Sequence, residues 1–112
     1  MKINCQCGAV IHNSTDDLPG KAHLIPDQAW CTMWDAIDQV LSAVANGSQT
    51  PEVASMKARK IVRNAGTRFM WQCGACGRLY IDDRRGGLQC FLPATKETDV
   101  EILRHVPYDD DR

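Results

Sequence analysis

Apolar residues recur with a helical period between Pro26 and Gly47. They stand three or four positions apart, at Trp30, Met33, Trp34, Ile37, Leu41 and Val44. This spacing predicts an amphipathic helix. Asp27 follows Pro26 as the predicted N-cap, and the pair Asn46-Gly47 supplies a stop signal. We expect the apolar side chains of this helix to form a core face.

A second helix is predicted directly after the first. Thr50 is its N-cap and Pro51 its first helical residue, where the missing N–H of proline costs nothing. The helix extends to about Asn64 and stops before Gly66. Its apolar side is thin and mostly alanine, whereas the opposite side is basic, with Arg59, Lys60 and Arg63.

Short strand-like segments lie on both sides of the two helices. The predicted strands and extended pieces cover residues 2–4, 9–12, 21–25, 68–81 (two strands joined by a turn) and 88–92. Together with the helices they predict a small α+β fold.

The polar tail, residues 94–112, carries a few apolar positions. Four of them predict a short docking helix: Val100, Ile102, Leu103 and Val106. The acidic run from Asp109 to Asp111 is predicted to fray.

Length and charge narrow the class of protein. A chain of 112 residues, 44% of them apolar, is typical of one soluble globular domain. The net charge is −4 in residues 1–55, +6 in residues 56–86 and −3 in residues 87–112. Met1 to Asn4 shows no apolar signal segment, and no stretch approaches the roughly 18 apolar residues of a membrane span. We therefore expect a cytoplasmic protein with no membrane partner.

Four of the six cysteines form two tight pairs, and each pair is followed by glycine. The first is Cys5-Gln6-Cys7-Gly8 and the second is Cys73-Gly74-Ala75-Cys76-Gly77. Two such turns supply four thiolates, the number that closes a tetrahedral structural zinc site. Gly8 and Gly77 stand where the chain leaves each turn, and we expect positive φ there because glycine adopts it without strain.

Other chemistry remains open for these cysteines. Iron bound as in rubredoxin uses the same four thiolates. A disulfide framework needs a secreted chain, which the N-terminus does not suggest. A thioredoxin-like role for Cys73 and Cys76 needs the pair at a helix N-terminus, whereas strand-like sequence flanks it here. The remaining Cys31 and Cys90 are predicted to be small buried apolar residues.

The two cysteine turns and their flanking strands resemble a zinc ribbon over residues 1–12 and 67–92. This resemblance implies that Cys5, Cys7, Cys73 and Cys76 bind a structural Zn²⁺. It also implies one domain, 1–112, with a small antiparallel zinc-ribbon sheet. This ribbon is split by an insertion of two helices at residues 26–66 and followed by the tail. Cys5 and Cys7 are one residue closer than in the usual C-x-x-C.

No catalytic motif accompanies the cysteines, and we expect no enzyme. Four thiolates leave a metal no open position for substrate, and the chain has no H-E-x-x-H or G-x-S-x-G. The preferred hypothesis is a protein-interaction module of the immunity or antitoxin type, which binds a toxin through acidic residues such as Asp35 and Asp38. The alternative is a zinc-ribbon nucleic-acid-binding or regulatory protein. Its basic surface would include Arg59 and Arg63, with three aromatic residues available to stack on bases: Phe69, Trp71 and Tyr80.

Overall fold

The structure, a computed structural model, describes residues 2–13 and 15–107. Within them lie six strands and two helices. In chain order these are β1 (Lys2–Asn4), β2 (Val10–His12), β3 (Lys21–Leu24), α1 (Asp27–Ala45), α2 (Pro51–Asn64), β4 (Arg68–Gln72), β5 (Leu79–Asp82) and β6 (Leu88–Phe91). The predicted α+β class with antiparallel strands is confirmed. The predicted fraying of Asp109 to Asp111 lies outside the described residues.

The strands form two sheets. β1 and β2 pair as a two-stranded antiparallel hairpin, and the other four strands form a sheet in the order β3-β4-β5-β6. β4 pairs antiparallel with β5, and β5 with β6. The second cysteine turn joins β4 to β5, and the first joins β1 to β2. Each cysteine turn is therefore the loop of a hairpin.

The chain divides into two compact units. The first contains Met1–His23 and Arg68–Arg112, and the second is Leu24–Thr67. The first unit thus carries both cysteine turns, and the second carries both helices. The domain limits expected from the sequence stay a prediction.

The core of the first unit is small and surrounds the cysteines. Ile3 lies opposite Ile11 across the β1–β2 hairpin, and Trp71 lies opposite Tyr80 across β4 and β5. Such directly opposed side chains are in contact on one face of a sheet. These four residues form one buried cluster with Cys5 and Cys73. The side chains of Cys5 and Cys73 are therefore part of the apolar core.

The second unit is a helical hairpin with few buried side chains. α1 and α2 pack against each other, and Met33 and Ala54 are their buried residues. On the predicted core face of α1, Trp30 and Trp34 are each 45% exposed and Leu41 is 60% exposed. The helical period was therefore correct, but about half of the predicted core face is open.

Local signals set the ends of the helices. Thr50 Oγ1 accepts a hydrogen bond from the Val53 N–H, and Pro51 is the first residue of α2, as predicted. Gly47 follows α1 at φ 80° and donates to the Val44 carbonyl. The predicted N-cap Asp27 was wrong. Pro26 occupies that position with extended φ and ψ, and Asp27 is the first helical residue, where its charge suits the helix dipole.

The described part of the tail, residues 94–107, packs on the second cysteine turn without a helix. The Asp99 carbonyl accepts a 2.9 Å hydrogen bond from Gln72 Nε2, and Val100 lies close to Gly77. The docking helix predicted from Val100 to Val106 is absent there, and a turn stands at its start. Asp99 Oδ1 accepts from the Glu101 N–H, and such a local hydrogen bond competes with helix formation.

Gly20 marks a close approach of two backbones. Its carbonyl accepts a 2.8 Å hydrogen bond from the Gln72 N–H, and a Cβ added to Gly20 would lie 2.9 Å from the Gln72 oxygen. We expect Gly20→Ala to lower the free energy of unfolding by about 1–3 kcal/mol, as overpacking does. Gly74→Ala is the matched control because its Cβ would meet no atom within 4 Å. Equal urea midpoints for the two variants would contradict this prediction.

Candidate metal centre

The structure brings the four paired cysteines together. The Sγ atoms of Cys5, Cys7, Cys73 and Cys76 all lie within 4.8 Å of one another. Cys5 Sγ is 3.5 Å from Cys76 Sγ, and Cys7 Sγ is 3.6 Å from Cys73 Sγ. Sulfur atoms bound to one tetrahedral zinc at about 2.3 Å stand roughly 3.8 Å apart, whereas a disulfide holds them at about 2.05 Å. These distances fit a shared ion and do not fit disulfides.

Both turns have the same backbone construction. In the first, the Gly8 N–H donates to the Cys5 carbonyl at 3.0 Å, and in the second, the Gly77 N–H donates to the Cys73 carbonyl at 2.8 Å. Gly8 has φ 97° and Gly77 φ 83°, as predicted from the sequence. The one-residue difference in cysteine spacing therefore leaves the exit from the turn unchanged.

Backbone N–H groups also point at the sulfurs. Burial raises the thiol pKa, and a hydrogen bond from the residue two positions further on acts to lower it at three of the four cysteines. The net pKa is lowered at Cys5 and Cys76 and raised at Cys7. The donor–sulfur pairs are Cys7 to Cys5, Ala9 to Cys7 and Arg78 to Cys76. These N–H groups stabilise the thiolate, which is the form of cysteine that binds metal, and they do so independently of any bound ion.

Two side chains that the sequence did not indicate as part of the site contact the sulfurs. The Tyr80 hydroxyl donates to Cys5 Sγ at 3.3 Å and accepts from the Gln6 N–H at 3.2 Å. Arg78 Nη1 donates to Cys76 Sγ at 3.2 Å. Arg78 and Tyr80 stand two and four positions after Cys76, an alternation that was the only hint in the sequence. Both offset negative charge that four thiolates would gather around one divalent ion.

The thiols do not share one pKa. Burial raises the pKa of Cys5, but hydrogen bonds from donors that include the Cys7 N–H and the Tyr80 hydroxyl outweigh burial and lower the pKa to about 6. The Ala9 N–H lowers the pKa of Cys7, but the neighbouring Cys5, burial and the other thiols raise it to about 11. Tyr80 has its pKa raised to about 12, first by its hydrogen bond to Cys5 and then by burial. Four thiolates therefore repel one another unless a cation lies among them.

The other predicted site residues lie on the helices. Asp35 and Asp38 are exposed on α1, and Arg59 and Arg63 are exposed on α2. None of the four belongs to an ion pair within residues 2–13 and 15–107, where the ion pairs are Lys21–Asp16 and Arg104–Glu101. The structure therefore places all four on the surface of the helical unit.

Several predictions about exposure were wrong. Cys31 and Cys90 are both exposed, and Cys90 lies on β6, an edge strand of its sheet. Trp71 and Tyr80 were predicted to stack on nucleic-acid bases, but they are 3% and 6% exposed and belong to the core. Phe69, at 37% exposed, is the one of the three predicted stacking residues that remains at the surface.

The fold and the site define a small α+β protein with a four-cysteine candidate metal centre. The chain matches, over residues 1–102, the family described as a domain of unknown function, DUF8617, and it belongs to that family. No curated protein and no solved structure matches it. Among the described residues, no helix is long and apolar enough to cross a bilayer.

Proposed function

We propose that the four cysteines bind one structural Zn²⁺ and that the protein is a non-enzymatic interaction module. The observation that supports the metal is the sulfur geometry, with two Sγ pairs 3.5 and 3.6 Å apart and all four atoms within 4.8 Å. A four-thiolate site is closed, so zinc has no position left for water or substrate. The metal then joins the two hairpins and offsets the cost of closing a long loop between them.

Zinc is preferred over iron on the chemistry of the turns. Four-cysteine zinc sites are the ordinary structural use of paired cysteine turns, and zinc adds no redox chemistry. Iron in the same four thiolates is the alternative, and it colours the protein red. Elemental analysis and the visible spectrum of freshly purified protein separate the two metals, with about one zinc per chain expected.

The proposed interaction surface is the exposed part of α1. Trp34, Asp38 and Leu41 are spaced by four and three residues, so they lie along one face of the helix. Trp34 is 45% exposed and packs edge-to-face on Trp30 with ring centroids 5.8 Å apart. Exposed tryptophans bordered by charge are typical anchors of protein interfaces. α1 carries acidic residues and no basic ones, so its preferred partner is a basic protein.

We propose an immunity-type or antitoxin-type role on this basis, with a cytoplasmic toxin as the partner. The acidic residues of α1 would meet basic groups of the toxin, and the tryptophans would supply buried apolar contact. The toxin to be tested is the protein encoded by the neighbouring gene. Formation of a stable complex with it, with loss of toxicity, is the expected result.

Charge reversal tests this surface. We expect the double variant Asp35→Lys, Asp38→Lys to weaken the complex by at least about tenfold and to reduce its dependence on salt, with metal content unchanged. The matched control is Glu97→Lys with Glu101→Lys, which makes the same change of charge on the tail. Calorimetric titrations at two salt concentrations give both numbers, and equal weakening by both variants would contradict a specific role for α1.

Nucleic-acid binding is the second candidate, and the surface of α2 supports it. Lys57, Arg59, Lys60 and Arg63 are all exposed, and none is in an ion pair among the residues that the structure describes. Under this hypothesis Arg59→Glu with Arg63→Glu abolishes binding to RNA or DNA in a salt-dependent shift assay. The burial of Trp71 and Tyr80 removes two of its expected stacking residues, so we rank it second.

A further inference from the structure

Within residues 2–13 and 15–107, the outer edge of β6 has no strand paired to it and is mostly apolar. β6 pairs with β5 on one side and is the last strand of its sheet. All four of its residues are exposed, with Leu88 at 37% and Phe91 at 53%, and Leu92, directly after the strand, is 69% exposed. Proteins usually protect such edges with lysine, proline within the strand or a bulge. β6 has the sequence Leu-Gln-Cys-Phe and none of these devices.

The register shows which backbone groups face that edge. The Asp83 N–H donates to the Gly87 carbonyl at 3.1 Å, so this pair is hydrogen-bonded across the β5–β6 hairpin. Hydrogen-bonded and non-hydrogen-bonded pairs alternate along antiparallel strands. Gln89, opposite Ile81, and Phe91, opposite Leu79, therefore turn their backbone groups towards β5. Leu88 and Cys90 turn theirs to the open edge, and the same alternation applies to Leu92.

The three residues whose backbone groups face the open edge form a symmetric sequence, with leucine on both sides of Cys90. Leu88, Cys90 and Leu92 are separated by two positions each, so their side chains also share one face of the sheet. In an antiparallel pairing with an identical strand, a two-fold axis at Cys90 places Leu88 opposite Leu92 of the other copy, with Cys90 opposite its own copy. About six backbone hydrogen bonds then form with every outward group paired. Pro93, which has no N–H, ends the pairing.

We propose that β6 is a dimerisation edge and that its partner is β6 of a second copy of this chain. The two four-stranded sheets become one continuous sheet across the two-fold axis. An isologous contact of this kind closes after two copies, because it uses the β6 edge of both. A second copy of β6 supplies apolar side chains in the positions that face Leu88 and Leu92.

Crosslinking tests the register. Residues of a directly opposed, hydrogen-bonded pair have Cα atoms about 5.5 Å apart. A short bis-maleimide should therefore join Cys90 to Cys90 of the second copy in the Cys31→Ser variant. The matched control is Cys90→Ser, which keeps the exposed Cys31 and should give no covalent dimer. The triple variant Gln89→Cys, Cys90→Ser, Cys31→Ser moves the cysteine by one position. It should crosslink much more weakly, because residue 89 then lies opposite Phe91 of the second copy and not opposite another cysteine.

Sedimentation velocity tests the dimer without chemistry. The parent should sediment as twice its 12.5 kDa mass at high micromolar concentration. Leu92→Asp should raise the dissociation constant of the dimer by at least about tenfold. The two-fold axis places a charged residue 92 opposite Leu88 of the other copy at two places in each dimer. Leu92 lies outside the β5–β6 pairing, so metal content and circular dichroism should stay at the parent's values. A parent that stays monomeric throughout, or Cys90→Ser protein that crosslinks as well as Cys31→Ser, would overturn the proposal.

Discussion

Replacing Cys73 with serine should abolish metal binding and unfold the first unit. Cys73 is 1% exposed, the most buried side chain of the cluster, and its sulfur lies 3.6 Å from that of Cys7. Apparent free energies of structural zinc binding reach about 10–16 kcal/mol, whereas whole domains are stable by about 5–15 kcal/mol. A protein with so small an apolar core cannot lose this contribution and remain folded. Elemental analysis and a circular dichroism melt measure the two effects.

The controls are the two cysteines outside the cluster. Cys31 and Cys90 are exposed, so Cys31→Ser and Cys90→Ser should retain the parent's metal content and unfold within about 0.5 kcal/mol of it. Loss of metal in either variant would place that cysteine among the ligands. Parent protein purified without metal, together with a Cys73→Ser variant that melts at the same temperature, would refute the metal centre altogether.

What the sequence predicted well was local. The glycines after each cysteine pair have positive φ because the turn requires it within a few residues. Thr50 and Pro51 define the start of α2, where Thr50 Oγ1 accepts a hydrogen bond from the N–H of the residue three positions further on. In both cases the residues that decide the conformation are neighbours in the sequence, so the pattern contains the answer.

What the sequence missed depends on contacts between distant residues. Tyr80 reaches Cys5 across 75 positions, and this contact follows from the packing of the β1–β2 hairpin against β4 and β5, which no local pattern specifies. Burial failed for the same reason. The sequence pattern places Trp34 on a core face and Trp71 among residues available to stack on bases, yet Trp34 is 45% exposed and Trp71 3%. Period identifies the apolar face of an element, but only the assembled fold determines what covers it.

Trp71→Ala should destabilise the protein almost as strongly as loss of a ligand. Trp71 packs with Ile3, Ile11 and Tyr80 around the buried Cys5 and Cys73. Truncating a buried tryptophan to alanine costs about 3–5 kcal/mol. The cavity would also release Tyr80, which donates to Cys5, so metal affinity should fall with stability. Urea unfolding measures the stability, and metal release to a colorimetric chelator measures the metal affinity. We expect stability and metal affinity to decrease together.

Two matched variants separate core packing from the loss of an aromatic ring. Trp30→Ala makes the same truncation at a position that is 45% exposed, and should cost about 1–2 kcal/mol with metal affinity unchanged. Trp71→Phe retains a ring, and the Trp71 Nε1 that it removes is buried with no hydrogen-bond partner in the described part of the chain. It should therefore cost much less than alanine, because no hydrogen bond is lost. If Trp71→Ala released metal no faster than Trp30→Ala, the core and the metal centre would be energetically independent.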